Sequence, residues 1–154
     1  MRKIFLSCLI VVGSICFIHA QDSVEVASNL DWEQSFKKAE KISKKKNKPI
    51  LIFFTGSDWC GPCKMLVEDF FNTSKFGQLS DKFVLYEADF PRSTDLVTKE
   101  QQAYNKQLQS KYKIHSYPTI VVVGSNGNEI SRKKGYNLMR DSSYHFSFIE
   151  SIIK

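Results

Sequence analysis

Cys60 and Cys63 are separated by two residues and follow a hydrophobic run, residues 50–54, and a short polar turn. The segment that they begin has the apolar spacing of a helix. At a helix N-terminus the dipole and the unpaired amides favour negative charge, so we expect the pKa of the Cys60 thiol to be lowered. Because only the thiolate attacks a disulfide, the pair and its position predict thiol-disulfide exchange.

The first 20 residues have the pattern of a secretory signal peptide. Two basic residues precede an uncharged, mostly apolar run, residues 4–18, and the small residue Ala20 follows it. A membrane span usually needs about 20 apolar residues, so a retained anchor is less favoured. A lipid on Cys16 is disfavoured by the large residue before it. We expect cleavage after Ala20, which would give residues 1–20 as signal peptide and residues 21–154 as one domain.

Removal of the signal peptide would leave Cys60 and Cys63 as the remaining cysteines. A disulfide that joins positions three apart closes too small a loop to constrain the chain much, so the pair is expected to be chemical rather than structural. A structural zinc site needs four ligands, and the mature chain would add only His115 and His145, at no finger-like spacing. We therefore expect no metal and no cofactor.

The charge of the predicted mature chain is modestly positive, at +4 without Arg2 and Lys3. Much of the excess lies in the lysines of residues 37–48, which flank an apolar stripe at helical spacing. We interpret them as a solvated helix face, and a nucleic-acid-binding stripe is the less favoured alternative. A chain of this length has enough residues for one core but not for a second domain.

The hydrophobic pattern predicts alternating strands and helices. A strand, the helix that starts at Cys60 and a second strand would form a right-handed parallel crossover, and the turn signal at residues 125–128 predicts a hairpin. Leu96 and Ala103 belong to the apolar positions of the third helix. The predicted strands span residues 50–54, 83–89, 119–123 and 129–132. The predicted helices span residues 60–71, 95–112 and 141–153, and a first helix is capped by Asp31 and ends before Asn47.

The order of these elements, the Cys-Gly-Pro-Cys motif and the later Tyr117-Pro118-Thr119 resemble the thioredoxin superfamily over residues 31–154. The resemblance implies an α/β fold with a central mixed β-sheet flanked by helices in a single domain. Within the superfamily, residues 56–60 together with residues 83–89 look most like exported bacterial thioredoxin-like proteins. They are also similar to the C-terminal redox domain of the membrane protein that brings electrons to the periplasm.

The resemblance also implies roles for individual residues. Cys60 would attack the disulfide of a partner, and Cys63 would resolve the mixed disulfide. Trp59 would pack beside the sulfur atoms. Pro118 matches a cis-proline of the superfamily, and the backbone of Tyr117 would pair with a bound peptide as an added strand.

The two residues between the cysteines indicate the direction of the reaction. Pro62 suits the first turn of a helix, and Gly61 leaves the approach to Cys60 open. A Gly-Pro dipeptide at this place is typical of reducing members, so the resemblance implies an enzyme that reduces disulfides of substrate proteins. It would be a periplasmic or secreted monomer supplied by a membrane electron donor, without a nucleic-acid partner. The alternatives are a disulfide isomerase or oxidase, and a non-enzymatic peptide-binding module.

Two positions depart from the thioredoxin pattern. Thioredoxins have an aspartate and a lysine where this chain has Phe53 and Leu85, and those residues help to manage the proton of the resolving cysteine. Asp58 or Glu87 could substitute, but the sequence does not place either carboxylate. A missing base would slow the deprotonation of Cys63 by about 10²–10⁴-fold.

Overall fold

The computed structural model describes residues 30–154, so the predicted signal peptide lies outside the described residues. One mixed sheet has four strands in the order β2-β1-β3-β4. The strands are β1 (Ile50–Thr55), β2 (Val84–Asp89), β3 (Thr119–Val123) and β4 (Glu129–Lys134). The helices are α1 (Phe36–Lys46), α2 (Gly61–Leu66), α3 (Ser74–Ser80), α4 (Lys99–Lys111) and α5 (Ser143–Ile152), and a π-helical turn (Val67–Phe71) continues α2. None of the helices in residues 30–154 is long and apolar enough to cross a membrane.

The central strand β1 is buried along its whole length. It pairs in parallel with β2, as the predicted crossover requires, and antiparallel with β3. Side chains alternate between the two faces of a strand. Leu51 and Phe53 therefore join one core cluster, which also contains both cysteines, and Ile52 and Phe54 join the cluster on the opposite face. This two-sided burial explains why residues 50–54 form a continuous apolar run rather than an alternating one.

The cluster on the cysteine face is rich in aromatic rings. Phe70, at the end of the π-helical turn, has its ring centroid 4.7 Å from that of Phe76 and 4.8 Å from that of Phe146. Phe71 lies 4.7 Å from Phe53 of β1 by the same measure. These contacts join the segment that carries the cysteines to α3, α5 and the sheet, so that the redox pair is attached to a fixed core.

The predicted beginning of the first helix is wrong. Ser35, rather than Asp31, caps α1, and its hydroxyl accepts a hydrogen bond from the amide of Lys38 at 3.3 Å. The preceding segment is extended instead, and Trp32 forms a parallel bridge with Leu85 of β2. The indole of Trp32 packs against the aromatic core, and this packing outweighs the local capping signal.

The third predicted helix is shorter than expected, and α3 was not predicted. Thr98 caps α4 in a capping box with Gln101, so Leu96 lies outside the helix and is 54% exposed. Ala103 is exposed, and Asn105 is buried in its place. The amide of Asn105 is satisfied there because its oxygen accepts from the Tyr86 hydroxyl at 2.6 Å and its nitrogen donates to the main chain of β2.

The other predicted elements are confirmed with small shifts of their ends. The helix predicted for residues 60–71 is present as α2 and the π-helical turn. Strand β4 extends to Lys134, two residues beyond the predicted end, and α5 covers most of the predicted last helix. The structure therefore has the predicted α/β architecture.

Candidate active site

The cysteines lie where β1 ends and α2 begins. The amide of Cys60 donates to the carbonyl of Gly56 at 2.8 Å, which closes the turn after β1. Cys60 is the N-cap of α2, and its sulfur accepts a hydrogen bond from the amide of Cys63 at 3.3 Å. The two sulfur atoms form a disulfide, and the residues are only 4% and 1% exposed. In the reduced protein, the same amide would stabilise a thiolate on Cys60.

The residues between the cysteines open one side of the disulfide. Gly61 is exposed, and a Cβ atom placed on it would have no heavy atom within 4 Å. Pro62 lies in the first turn of α2, where its missing amide hydrogen leaves no bond unmade. The surface next to Cys60 is therefore open at Gly61.

Trp59 directly precedes Cys60 in the chain and is 39% exposed. Its indole N–H donates to the carbonyl of Phe90 at 2.9 Å, and its ring meets Tyr117 edge to face at 5.8 Å between centroids. The guanidinium of Arg92 lies 5.2 Å from the indole centroid. A Cβ atom on Gly56 would lie 2.4 Å from the same indole, so glycine is required at that position.

Pro118 and Tyr117 come from the segment before β3. Their peptide bond is cis, and the carbonyl of Pro118 accepts from the amide of Gly135 at 2.8 Å. The Tyr117 hydroxyl accepts from the side-chain amide of Gln109 at 2.7 Å, and burial raises the pKa of this tyrosine. The Tyr117 ring packs against both core clusters, one of which contains the two cysteines, and it contacts Trp59, which precedes Cys60.

The turn that carries Trp59 is held by carboxylates. Asp89, at the end of β2, accepts from the amide and the hydroxyl of Ser57 at 2.8 and 2.5 Å. Asp58 accepts from the amides of Ser93 and Arg92, and these hydrogen bonds, that of Ser93 above all, lower the pKa of Asp58. The carboxylate of Asp58 is therefore engaged in anchoring the loop that follows β2.

The anchors were not predicted from the sequence. Asp89, Phe90 and Arg92 follow or end β2, and Gly56 follows β1. The signal that could have identified them is the predicted parallel crossover, because it brings the carboxyl ends of β1 and β2 to the same edge of the sheet.

A cleft of about 430 Å³ reaches Cys63 from the side of β2. Phe53 and Leu85 are buried in the core and contribute no polar group. Glu87 does line the cleft, and burial, followed by the negative charge of Asp89, raises its pKa to about 7. The lining residues are Thr55, Ser57, Cys63, Lys64, Val67, Glu68, Asn72 and Glu87.

The histidines lie outside this site. His115 is exposed on the segment after α4. His145 is buried in α5, where burial and the charge of Lys133 lower its pKa to about 4, so it is neutral near pH 7. Within residues 30–154, no group of three or more histidine, cysteine or acidic side chains could hold a metal ion.

A four-stranded mixed sheet with a two-cysteine motif between its central strand and the next helix defines a thioredoxin-like protein. The family model described as "Thioredoxin-like domain" matches residues 36–141, and the chain belongs to this family. With the Cys60–Cys63 disulfide in place, the protein is a thiol-disulfide oxidoreductase, as the sequence predicted.

The comparisons with known proteins agree with this assignment. The chain is 31% identical to the disulfide bond reductase DsbH of Chlamydia pneumoniae, over 83% of this chain and 81% of the relative. It is 27% identical to the thioredoxin-related protein DsbJ of the same organism over 99% of this chain, but it spans only 47% of that relative.

Solved structures give the same result. A DsbH oxidoreductase superposes with a TM-score of 0.70 at 30% identity, over 82% of this chain and 85% of that one. A thioredoxin from Thermus thermophilus, at 17% identity over 77% and 83% of the two chains, has a TM-score of 0.58 and shares the fold.

The contact between Gly56 and Trp59 can be tested by substitution. We expect Gly56→Ala to displace the indole, break its hydrogen bond to Phe90 and lower the free energy of unfolding by about 1–3 kcal/mol. The measurements are urea denaturation and the indole N–H signal of Trp59 in ¹⁵N spectra of the oxidised protein. Gly61→Ala is the matched control, because its Cβ meets open space. Equal spectra and stabilities for the two variants would contradict the contact.

Proposed function

We propose that this protein is an exported reductant, which transfers electrons from its Cys60–Cys63 dithiol to disulfides of substrate proteins. The observation that carries the proposal is the arrangement of the sulfur atoms. The sulfur of Cys60 accepts a hydrogen bond from the amide of Cys63 at the start of α2. Cys63 itself is almost completely buried. One sulfur is thereby suited to attack and the other to resolve the product.

The reaction proceeds in two exchanges. The Cys60 thiolate attacks a disulfide of the partner, which forms a mixed disulfide and releases one partner thiolate. Cys63 then loses its proton and attacks the sulfur of Cys60, which breaks the mixed disulfide and releases the second partner thiolate. The partner gains two electrons and two protons overall, and the protein ends as the Cys60–Cys63 disulfide.

Substrate contacts come from both sides of the disulfide. Gly61 and Pro62 leave the approach to Cys60 open, and Trp59 supplies an exposed aromatic surface. The backbone of Tyr117, next to Pro118, pairs with an extended substrate segment. Main-chain hydrogen bonds of this kind bind peptides with little regard to their sequence, which suits an enzyme that acts on several proteins.

The direction of electron flow is supported by the dipeptide between the cysteines and by the similarity to DsbH, a disulfide bond reductase. We expect the reduction potential of the Cys60–Cys63 pair to lie near that of thioredoxin, about −270 mV. The measurement is the equilibrium of the pair against glutathione at defined ratios. A potential at or above about −180 mV, as in disulfide isomerases, would overturn the assignment as a reductant and favour the isomerase or oxidase alternative.

The roles of the two sulfur atoms can be separated by serine variants. Cys63→Ser should accumulate a covalent mixed disulfide with substrate proteins through Cys60, because no second sulfur releases it. Its matched control is Cys60→Ser, which should trap nothing and should lose the acceleration of insulin reduction by dithiothreitol. Trapping is read by non-reducing electrophoresis and mass spectrometry of the partner. Equal insulin reduction by wild type and Cys60→Ser would instead support a non-enzymatic peptide-binding module.

Export would place this dithiol in a compartment where disulfides persist, so the protein needs a supply of electrons. A membrane-embedded donor that reduces the Cys60–Cys63 disulfide provides it. The basic start, the apolar run of residues 4–18 and Ala20 support export with removal of residues 1–20.

Export predicts a defined product in a Gram-negative host. The periplasmic fraction should contain a protein whose intact mass corresponds to residues 21–154. Val11→Arg, which places a charge in the apolar run, should leave the full-length chain inside the cell. A wild-type protein that stays in the cytoplasm at full length would contradict export.

A further inference from the structure

Resolution of the mixed disulfide requires Cys63 to lose a proton while it is almost completely buried. Burial disfavours a thiolate, because a charged group is poorly solvated in an apolar environment. The side chains that β1 and β2 contribute to the cysteine cluster are Leu51, Phe53 and Leu85, which cannot accept a proton. Asp58 is engaged with the amides of Ser93 and Arg92.

Strand register places Glu87 on the cysteine side of the sheet. Leu85 belongs to the same core cluster as Cys63, and Tyr86 belongs to the cluster on the opposite face. Because side chains alternate along a strand, Glu87 stands on the face of Leu85. Its partner in the parallel ladder is Phe53, which also belongs to the cysteine cluster. Glu87 therefore lies at the end of β2 that is nearest the active-site turn.

The cleft connects Glu87 with Cys63. Both residues line it, and it is open to solvent at Glu87. The charged groups that line the cleft with Glu87 are Lys64 of α2 and Glu68 of the π-helical turn, and the charge of Asp89 acts on Glu87 from its own strand. Glu68 is paired with Arg140 at 2.8 Å, whereas Glu87 makes no salt bridge within residues 30–154.

We infer that Glu87 is the proton acceptor for Cys63 and that the cleft carries the proton to solvent. In the mixed disulfide, the thiol of Cys63 gives its proton to the Glu87 carboxylate, directly or through one water molecule. The Cys63 thiolate attacks the sulfur of Cys60, a disulfide forms between them, and the partner leaves as a thiolate. Glu87 then releases the proton to solvent. This inference rests on the proposed role of Cys63 as the resolving thiol.

The cleft is separate from the surface that meets the partner. Its lining includes neither Cys60 nor any of the residues proposed to form the substrate site, which are Trp59, Gly61, Pro62, Tyr117 and Pro118. A partner bound at Cys60 therefore leaves the cleft open. The pKa of Glu87, raised to about 7 by burial and by Asp89, suits a carboxylate that accepts and releases a proton near neutral pH.

The experiment follows both exchanges with 5,5′-dithiobis(2-nitrobenzoate) in stopped flow. Attack by Cys60 of the reduced protein releases the first thionitrobenzoate, and attack by Cys63 on the mixed disulfide releases the second. In the wild type, the second rate should fall as the pH drops below about 7 and should be level above it, because the acceptor works only when ionised.

Glu87→Gln should slow the second release by about 10²-fold or more near pH 7.5, and its rate should rise about tenfold per pH unit. The first release should change little. Glu68→Gln is the matched control. It removes a carboxylate that lines the same cleft but is already paired with Arg140, so this variant should keep the wild-type pH profile.

A second release in Glu87→Gln that is as fast as the wild type, or faster, with the same pH profile would overturn the inference. Loss of the first release would instead contradict the proposed role of Cys60, so the two failures are distinguishable. Titration of the Glu87 carboxyl by ¹³C NMR in the wild type provides a measurement without a variant. Its midpoint should differ between the oxidised and reduced protein, and identical midpoints would also overturn the inference.

Discussion

The parallel pairing of β1 with β2 is the constraint on which the active site depends. It brings the end of β1, from which the chain turns to Cys60, next to the end of β2. At the end of β2, Asp89 accepts two hydrogen bonds from Ser57. The carbonyl of the next residue, Phe90, accepts a hydrogen bond from the indole N–H of Trp59. In the opposite direction, the carboxylate of Asp58 accepts hydrogen bonds from amides of the loop that follows β2. The turn that delivers Cys60 to the start of α2 is thus fixed on both sides by hydrogen bonds.

The same sheet separates two tasks between its faces. One face of β1 packs against the cysteine segment and its aromatic cluster, and the other packs against α1 and α4. An aromatic residue such as Phe53 beneath the cysteines gives a rigid support, because it fills the core and needs no hydrogen bond. It also removes any polar group from that position, and the proton acceptor that we propose for Cys63 comes from another place on the same face.

Much of this architecture could be predicted from the sequence, because the apolar runs and the Cys-Gly-Pro-Cys motif carry strong local signals. The strands, α2 and the hairpin were predicted from residues 50–54, 119–123 and 125–128. The start of α1 was not, because Asp31 is a good local cap while the packing of Trp32 is a long-range effect. The buried Asn105 was missed for a similar reason: its partners, Tyr86 and the main chain of Asp89, are remote in sequence.

The position of Glu87 in the active site could be predicted only in part from the sequence. Alternation along β2 gives its face, but the cleft is lined by residues of β1, α2, the π-helical turn and β2, which are separated along the sequence. An acid fully enclosed by apolar side chains would hold its proton too strongly to act as a base near pH 7, and a fully solvated one would hold it too weakly. Glu87 is in contact with solvent, while burial by the surrounding protein and the charge of Asp89 raise its pKa to about 7. A carboxylate at Glu87, on the edge strand of the sheet, is therefore a usable base, and the proton that it accepts has a direct path to water.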